Sequence, residues 1–396
     1  MGKLETRKAR FRYRLRLSGS ALEVLTAEWD RCRWVWNECV ATALAAYQAG
    51  EECGPARLDR KLTGWRAAHE WLRDGSSVAQ QQAVRSFGIA RAAALKDIKN
   101  RVPIGRRHGL PRFKCKSRVR PSLNYTRRGF RLKDDRLLLA GGIALTVVWS
   151  RPLPQEPSSV RIYQDSLGHW YASFVIPGSA EPLPATGRAV GIDWGVKVLA
   201  TASADGHDLS HPAHGKRIEA EVARRRRSMA RRRPDSGDGC SKGYLAARHL
   251  MAKAYKKAAR QRQETARKWA KRLVREFDQI AVEDFRPKFM FKSTMARKAS
   301  DAAIAATKRE LIAMARKHGR DLQLVNPAHT TTDCAQCGAR TKTALPLSER
   351  TYSCGSCGHR GPRDKNSAMV MLVRAGFNPT GVESTRPDRS PVDQAA

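Results

Sequence analysis

Apolar and basic side chains alternate over residues 9–17, Ala-Arg-Phe-Arg-Tyr-Arg-Leu-Arg-Leu. That is the period of a strand with one face on a core and the other turned toward an anion. The period then lengthens: Leu22, Leu25, Trp29, Trp36 and Val40 recur at helical spacing from Ala21 to about Gln48, with Ser20 placed to cap the start and Gly50 to stop the end. A second helical stretch runs from about Ser77 to Asn100, so a small helical unit is expected after the first strand. Around Gly109-Leu-Pro-Arg-Phe-Lys the pattern turns irregular and basic. Short alternating runs follow at 129–139, 143–149, 158–163 and 169–176, parted by turn signals at Lys133-Asp134-Asp135 and Gly141-Gly142. These runs, with the first strand, predict a small barrel carrying the helical unit as an insertion.

Pro182, Pro184 and Gly187 mark a linker, after which the pattern changes. Ala189-Val-Gly-Ile-Asp reads as a buried strand, Trp194-Gly195 as a turn, and Val196 to Ser203 as a strand entering the hairpin signal Asp205-Gly206. Residues 216–278 are helix-forming and strongly basic, interrupted by Pro-Asp-Ser-Gly-Asp-Gly at 234–239. The strand Gln279-Ile-Ala-Val-Glu-Asp follows, then a helix over about 301–318 stopped by Gly319, the strand Asp321 to Val325, and a last helix over 364–375. The Pro-, Ser- and Asp-rich tail from about 378 reads as disordered.

Between the last two elements stand Cys334, Cys337, Cys354 and Cys357, two C-x2-C pairs with 16 residues between them. This spacing brings four thiolates to the corners of a tetrahedron around Zn2+, and Gly338, Gly355 and Gly358 supply the tight turns. Four protein ligands leave zinc no open position, so the ribbon is structural and catalysis must lie elsewhere. The other five cysteines are scattered, which argues against a disulfide framework.

Charge narrows the partners. The chain has 396 residues with 75 Lys+Arg against 37 Asp+Glu, a net charge of +38, which points to nucleic acid. The arginine runs Arg224, Arg225, Arg226, Arg227 and Arg231, Arg232, Arg233 are candidate phosphate contacts, or a solvated helix face. Gln80 and Gln81, with Gln82, open a helix and are candidates for reading base edges, or merely its surface. Trp34 and Trp36 could stack on bases, but their helical stripe favours a core role. No run of apolar residues is long enough to span a membrane, and the start lacks a secretory core. A cytoplasmic protein, on the nucleoid when working, is expected.

Three acids sit where apolar patterns begin or end: Asp193 closes Val-Gly-Ile-Asp, Glu283 closes Ile-Ala-Val-Glu, and Asp364 opens the last helix. Singly, Asp193 reads as a turn residue and Asp364 as an N-cap just as well. Converging, they could hold two Mg2+ ions for in-line attack on a phosphodiester.

At these residues the chain resembles the TnpB family of transposon-encoded proteins and their relatives, the miniature type V CRISPR effectors. Val190-Gly-Ile-Asp-Trp-Gly-Val-Lys is similar to the first RuvC motif, Ile280-Ala-Val-Glu-Asp-Phe to the second and Arg363-Asp-Lys-Asn-Ser-Ala to the third, with the zinc ribbon in the family's place between the last two. Arg33-Trp-Val-Trp-Asn-Glu and Gly109-Leu-Pro-Arg-Phe-Lys resemble two N-terminal family segments. Ser367 departs from the family's usual Ala, and Pro362 replaces a residue that is often polar.

The resemblance implies an α/β multidomain protein, with an RNase H-like RuvC nuclease domain preceded by an OB-like β-barrel wedge that carries an α-helical recognition insert. The boundaries expected are 1–18 and 105–183 for the wedge, 19–104 for the insert, 184–328 and 362–377 for the nuclease, 329–361 for the zinc ribbon and 378–396 for the tail. It implies a guide RNA, a double-stranded DNA target beside a short flanking motif, and Asp193, Glu283 and Asp364 as Mg2+-binding catalytic acids. A miniature CRISPR effector and a guide-dependent repressor that does not cut are the alternatives. A transposase performing strand transfer directly is disfavoured, having no need of a guide.

Overall fold

The computed structural model describes residues 8–178, 181–233, 240–285, 300–341 and 349–377. The chain divides into two units, the first ending at Gly178. The expected turn at 234–239 and the expected disordered tail lie outside the described residues.

The first unit opens with β1 (Lys8–Arg16), α1 (Gly19–Gln48), α2 (Pro55–Ala68), α3 (Glu70–Arg73) and α4 (Ser77–Lys99). Six strands follow: β2 (Ser122–Thr126), β3 (Phe130–Lys133), β4 (Arg136–Leu139), β5 (Ile143–Val148), β6 (Ser159–Gln164) and β7 (Trp170–Pro177). They form one seven-stranded sheet in the order β2-β6-β7-β1-β5-β4-β3, so β1 lies in its middle, antiparallel to both β7 and β5. The alternation of β1 is realised as read: Tyr13 and Leu15 are buried while Arg10, Arg12, Arg14 and Arg16 are exposed.

Helix α1 serves two cores. Leu25, Trp29 and Cys32 in its first half pack with the sheet. Val35, Cys39 and Ala46 in its second half join Leu58, Leu62, Leu72, Val84 and Phe87 in a separate helical core. The cap is Ser18 rather than the expected Ser20: its Oγ accepts the N–H of Ala21 at 3.2 Å, because the helix starts a residue before Ser20.

The two N-terminal family segments meet. Asn37 Nδ2 donates to the Lys114 oxygen at 3.2 Å, its Oδ1 accepts the Lys114 N–H at 2.7 Å, and Trp36 Nε1 donates to the Arg112 oxygen at 3.0 Å. Lys114 Nζ lies 3.3 Å from the Trp36 ring centre and 5.6 Å from that of Trp29. Burial pulls this ammonium down to about 8, an effect the two indole faces oppose by favouring the cation. Trp34 is packed edge-on against Trp65 and Trp71, and Trp36 against Phe87, so both belong to the helical core.

The second unit contains β8 (Ala189–Trp194), β9 (Val198–Ala202), β10 (Leu209–Ser210), α5 (His214–Arg217), α6 (Glu219–Ala230), α7 (Lys242–Glu276), β11 (Gln279–Glu283), α8 (Ile304–Lys317) and β12 (Asp321–Val325). β13 (Thr351–Ser353), β14 (Arg360–Pro362) and α9 (Arg363–Arg374) complete it. Its main sheet has the order β10-β9-β8-β11-β12, with β8, β11 and β12 parallel and the β8–β9–β10 run antiparallel. Two layers cover it. Val190, Ile192, Trp194, Ile280 and Val282 pack with Trp269 and Leu273 of α7 and Leu311 of α8. Ala189, Ala281 and Val325 pack with Met371 and Leu372 of α9 on the opposite face. Among the described residues, no helix is long and apolar enough to cross a membrane.

Candidate acid cluster, zinc ribbon and basic face

Strand parity decides where the acids point. On β8, Val190, Ile192 and Trp194 face α7 and α8, so Ala189, Gly191 and Asp193 face α9. On β11, Ile280 and Val282 take the first face, leaving Ala281 and Glu283 on the second. The parallel register pairs Ile192 with Val282, which sets Asp193 beside Glu283 at the carboxyl ends of adjacent strands. α9 crosses that face very closely: a Cβ on Gly191 would lie 1.9 Å from the Ala368 oxygen. Only glycine admits this approach, which brings the first turn of α9, and Asp364 with it, to the other two acids. Asp364 lies inside that first turn and not at the N-cap, because the helix begins at Arg363 with Pro362 in the cap position.

Asp193 and Glu283 stand close enough for each to shift the other's ionisation. Glu283 is 7% exposed, its Oε2 accepts the Trp194 N–H at 3.2 Å, and the Trp194 indole N–H donates to its main-chain oxygen at 3.2 Å. Burial, with the charges of Glu283 and Asp364, holds the Asp193 carboxyl well above the usual aspartate range. Burial also raises Glu283, against the pull of the Trp194 N–H and of Lys308. Asp364 lies nearer the rim, with Arg350 Nη1 at 3.7 Å and Arg363 Nε at 4.0 Å from its carboxylate. An oxygen-only set in which carboxyls resist ionisation through burial and mutual repulsion suits a hard divalent cation, whose charge removes that penalty.

The four cysteines converge, their sulfurs all within 4.8 Å of one another. Cys334–Cys357 and Cys337–Cys354 are separated by 3.7 and 3.6 Å. Zinc–sulfur bonds of about 2.3 Å at tetrahedral angles require about 3.8 Å between sulfurs, so the thiols fit one zinc ion with little adjustment. The backbone N–H groups of Cys357 and Ser356 pull the Cys354 thiol down, while the neighbouring thiols push the Cys357 thiol up. Tyr352 is fully buried beside Cys334 and Cys354.

The nucleic-acid candidates divide. Arg224, Arg226, Arg227, Arg231, Arg232 and Arg233 are exposed on and just beyond α6, whereas Arg225 is half-buried. Arg226 Nη2 donates to the Tyr255 hydroxyl at 2.9 Å. Gln80 does not face solvent: it is completely buried, with Nε2 donating to the Leu72 oxygen at 2.8 Å and Oε1 accepting from Arg66 Nη1 at 2.6 Å. Both ends of its amide are consumed inside the helical core, so it cannot read a base edge. Gln81, on the outer side of α4, is exposed.

One basic face was read only in part, in the arginines of the first strand. Arg161 and Tyr163 on β6, Tyr171 on β7 and Arg12 and Arg14 on β1 share the outer side of the first unit's sheet, with Tyr163 paired to Tyr171 and Tyr171 to Arg14. The two tyrosine rings stack at 5.6 Å, and Arg161 and Arg12 lie over them at 5.5 and 5.7 Å. Guanidinium groups among π faces are suited to phosphates and unpaired bases. The tyrosines' outward parity, opposite to that of buried Val160, Ile162, Trp170 and Ala172, was the available signal.

The profile of the OrfB_IS605 family, described as "Probable transposase", matches residues 162–294, and that of the Cas12f1-like TNB domain matches 306–371. The chain is 30% identical to the "Putative RNA-guided DNA endonuclease" of Streptomyces pristinaespiralis, over 98% of this chain and 96% of that relative. The chain belongs to the TnpB family. Another TnpB relative, the "Putative RNA-guided DNA endonuclease InsQ" of Escherichia coli (strain K12), is 24% identical over 92% of this chain and 91% of its own. In fold, this TnpB-family chain is similar to the protein of a Cas12f1-sgRNA-target DNA complex solved by cryo-EM, with a TM-score of 0.58 at 13% identity, covering 92% of this chain and 98% of that one.

Proposed function

We propose that this chain is an RNA-guided DNA endonuclease of the transposon type, with Asp193, Glu283 and Asp364 as its Mg2+-binding acids. The observation that carries the reading is the meeting of three acids from β8, β11 and α9 at one end of the sheet, Asp193 and Glu283 set side by side by the parallel register and the first turn of α9 brought to them by its close approach over Gly191. The second unit's sheet, covered by helices on both faces, is then the RNase H-like RuvC domain, 184–328 and 362–377, interrupted by the zinc ribbon at 329–361. The seven-stranded sheet, 1–18 and 105–183, is the OB-like wedge, and 19–104 the recognition insert.

Mg2+, when bound, supplies an activated water and stabilises the leaving oxygen of a cleaved phosphodiester. The residues of the chain set the stage for this. Asp193 and Glu283 offer inward carboxylate oxygens from rigid parallel strands, and the Trp194 N–H fixes one oxygen of Glu283 so that the other stays available. Asp364 closes the site from α9. Base pairing with a guide RNA selects the sequence, while the basic surfaces, including Arg224 to Arg227, Arg231 to Arg233 and the Arg12–Tyr171–Tyr163–Arg161 face, hold the backbone. Such work belongs in the cytoplasm, on the nucleoid.

The test is expression with the gene's native flanking DNA, sequencing of the RNA that copurifies, and incubation of the particle with plasmids matching that RNA beside randomised flanks. Linearisation in Mg2+ that disappears in Asp193→Ala is expected. A defined RNA with target binding but no cutting in the parent protein overturns the nuclease in favour of a repressor.

A further inference from the structure

Helix α9 is gripped from two sides. Ala368 and Leu372 lie against Gly191 of β8. From the other side Asn366, 3% exposed, reaches the first zinc knuckle: its Nδ2 donates to the Asp333 main-chain oxygen at 2.8 Å and its Oδ1 accepts the Ala335 N–H at 3.0 Å. These two contacts bracket Cys334, one of the four converging thiols. Two turns along the helix, Arg374 Nη2 reaches the Asp333 carboxylate at 2.7 Å, and its Nη1 reaches the oxygens of Asn326 and Ala328 at 2.9 and 2.6 Å. Asn366 stands two residues from Asp364, in a helix start whose cap position, Pro362, makes no side-chain cap hydrogen bond.

We propose that Asn366 is a positioning residue through which the zinc knuckle fixes the first turn of α9, and so Asp364, making metal affinity at the acid cluster depend on the integrity of the ribbon. The proposal rests on the reading of Asp193, Glu283 and Asp364 as a metal-binding set. A side-chain amide spanning two main-chain groups either side of Cys334 keeps both hydrogen bonds only while the knuckle holds its turn, and the turn is held by zinc. Because linkage is reciprocal, a cation at the acids also tightens the binding of zinc. Arg374 grips the same knuckle but lies ten residues from Asp364, so it anchors the ribbon without setting the acid.

The test compares the parent protein, Asn366→Ala and Arg374→Gln, each purified with its guide RNA. Zinc content, the rate of zinc release to a chromogenic chelator, Mn2+ affinity by electron paramagnetic resonance and the Mg2+ midpoint of cleavage are measured. Asn366→Ala is expected to keep its zinc, release it about tenfold faster and bind Mn2+ about tenfold more weakly, with the Mg2+ midpoint raised to match and guided target binding unchanged. Arg374→Gln is expected to speed zinc release alone. Mn2+ affinity in Asn366→Ala equal to the parent's overturns the proposal. If Asn366→Ala does not fold, hydrogen exchange of the parent decides. Stripping zinc must then raise exchange across 363–368, and unchanged protection there overturns the proposal. A parent that binds Mn2+ in the acid cluster yet never cuts its target defeats the nuclease reading while leaving the coupling to stand or fall on Mn2+ affinity.

Discussion

Replacing Gly191 by alanine isolates the approach of α9 to the sheet from every side chain of the proposed metal set. The new Cβ would sit 1.9 Å from the Ala368 oxygen, 2.9 Å from its carbonyl carbon and 3.1 Å from Leu372 Cγ. Real Cβ contacts essentially never fall below 3.0 Å, so the first distance must open by at least 1.1 Å. The obstacle is main chain, which no rotamer change can clear, so the helix and strand must part as bodies. Overpacking of this kind costs about 1–3 kcal/mol. The same parting carries Asp364 away from Asp193 and Glu283, and a misplacement of about 1 Å at a reacting centre lowers rate roughly a hundredfold. The assay is single-turnover cleavage of a guide-matched plasmid, with thermal melting, zinc content and target binding measured on the same preparations. We expect slow cleavage and a lowered melting temperature with guide and target binding retained. Gly191→Ala that melts and cuts as the parent does would refute the claim that helix proximity builds the site.

The raised carboxyls predict a pH dependence whose sign depends on metal. In metal-free protein the stability contributed by protonated Asp193 and Glu283 is fully present below their ordinary values of 3.8 and 4.5, and is lost as pH rises through their elevated folded values. The rise in melting temperature caused by Mg2+ should therefore grow with pH across that window and be much reduced in Asp193→Asn; a Mg2+ effect that ignores pH would contradict it. Gln80→Ala removes two hydrogen bonds and a buried side chain from the helical core, although Arg66 Nη1 still donates to the Leu72 oxygen at 2.9 Å, and should destabilise by about 2 kcal/mol, whereas Gln81→Ala should change stability by less than about 0.5 kcal/mol. Equal melting of these two variants would contradict the burial of Gln80. Ser367 is fully buried, and its Oγ has no hydrogen-bond partner among the described residues. Ser367→Ala should stabilise by about 1 kcal/mol in denaturant unfolding, and a loss of stability would refute this.

Legibility followed periodicity. The strand over 9–17 and the helices starting at Ser77 and near Asp364 could be read because one face of each is apolar and the other is not, and the strands carrying Asp193 and Glu283 because both their faces are apolar, giving short unbroken apolar runs that end in an acid. Helix α2 left no such trace, since among basic residues it buries only Leu58 and Leu62. β2 was hidden by the irregular basic segment before it. The acids were visible as residues, but their meeting depends on the parallel pairing of β8 with β11 and on the glycine beneath α9, relations between distant segments that no local period encodes. Gln80 misled because its helix-start position exposes neighbours such as Gln81, while its own direction was set by Arg66 and Leu72.

The central place of β1 has a consequence for the order in which the first unit is made. Both its partners, β5 and β7, lie far downstream, beyond the whole helical insert. During synthesis the strand therefore waits with two unsatisfied edges, in the condition that invites pairing with another nascent chain. Arg10, Arg12, Arg14 and Arg16 place a like charge at every second position of that waiting strand. Like charges at those positions oppose the pairing of one waiting strand with another, and the edge of β1 toward β7 is satisfied only once the chain reaches Pro177.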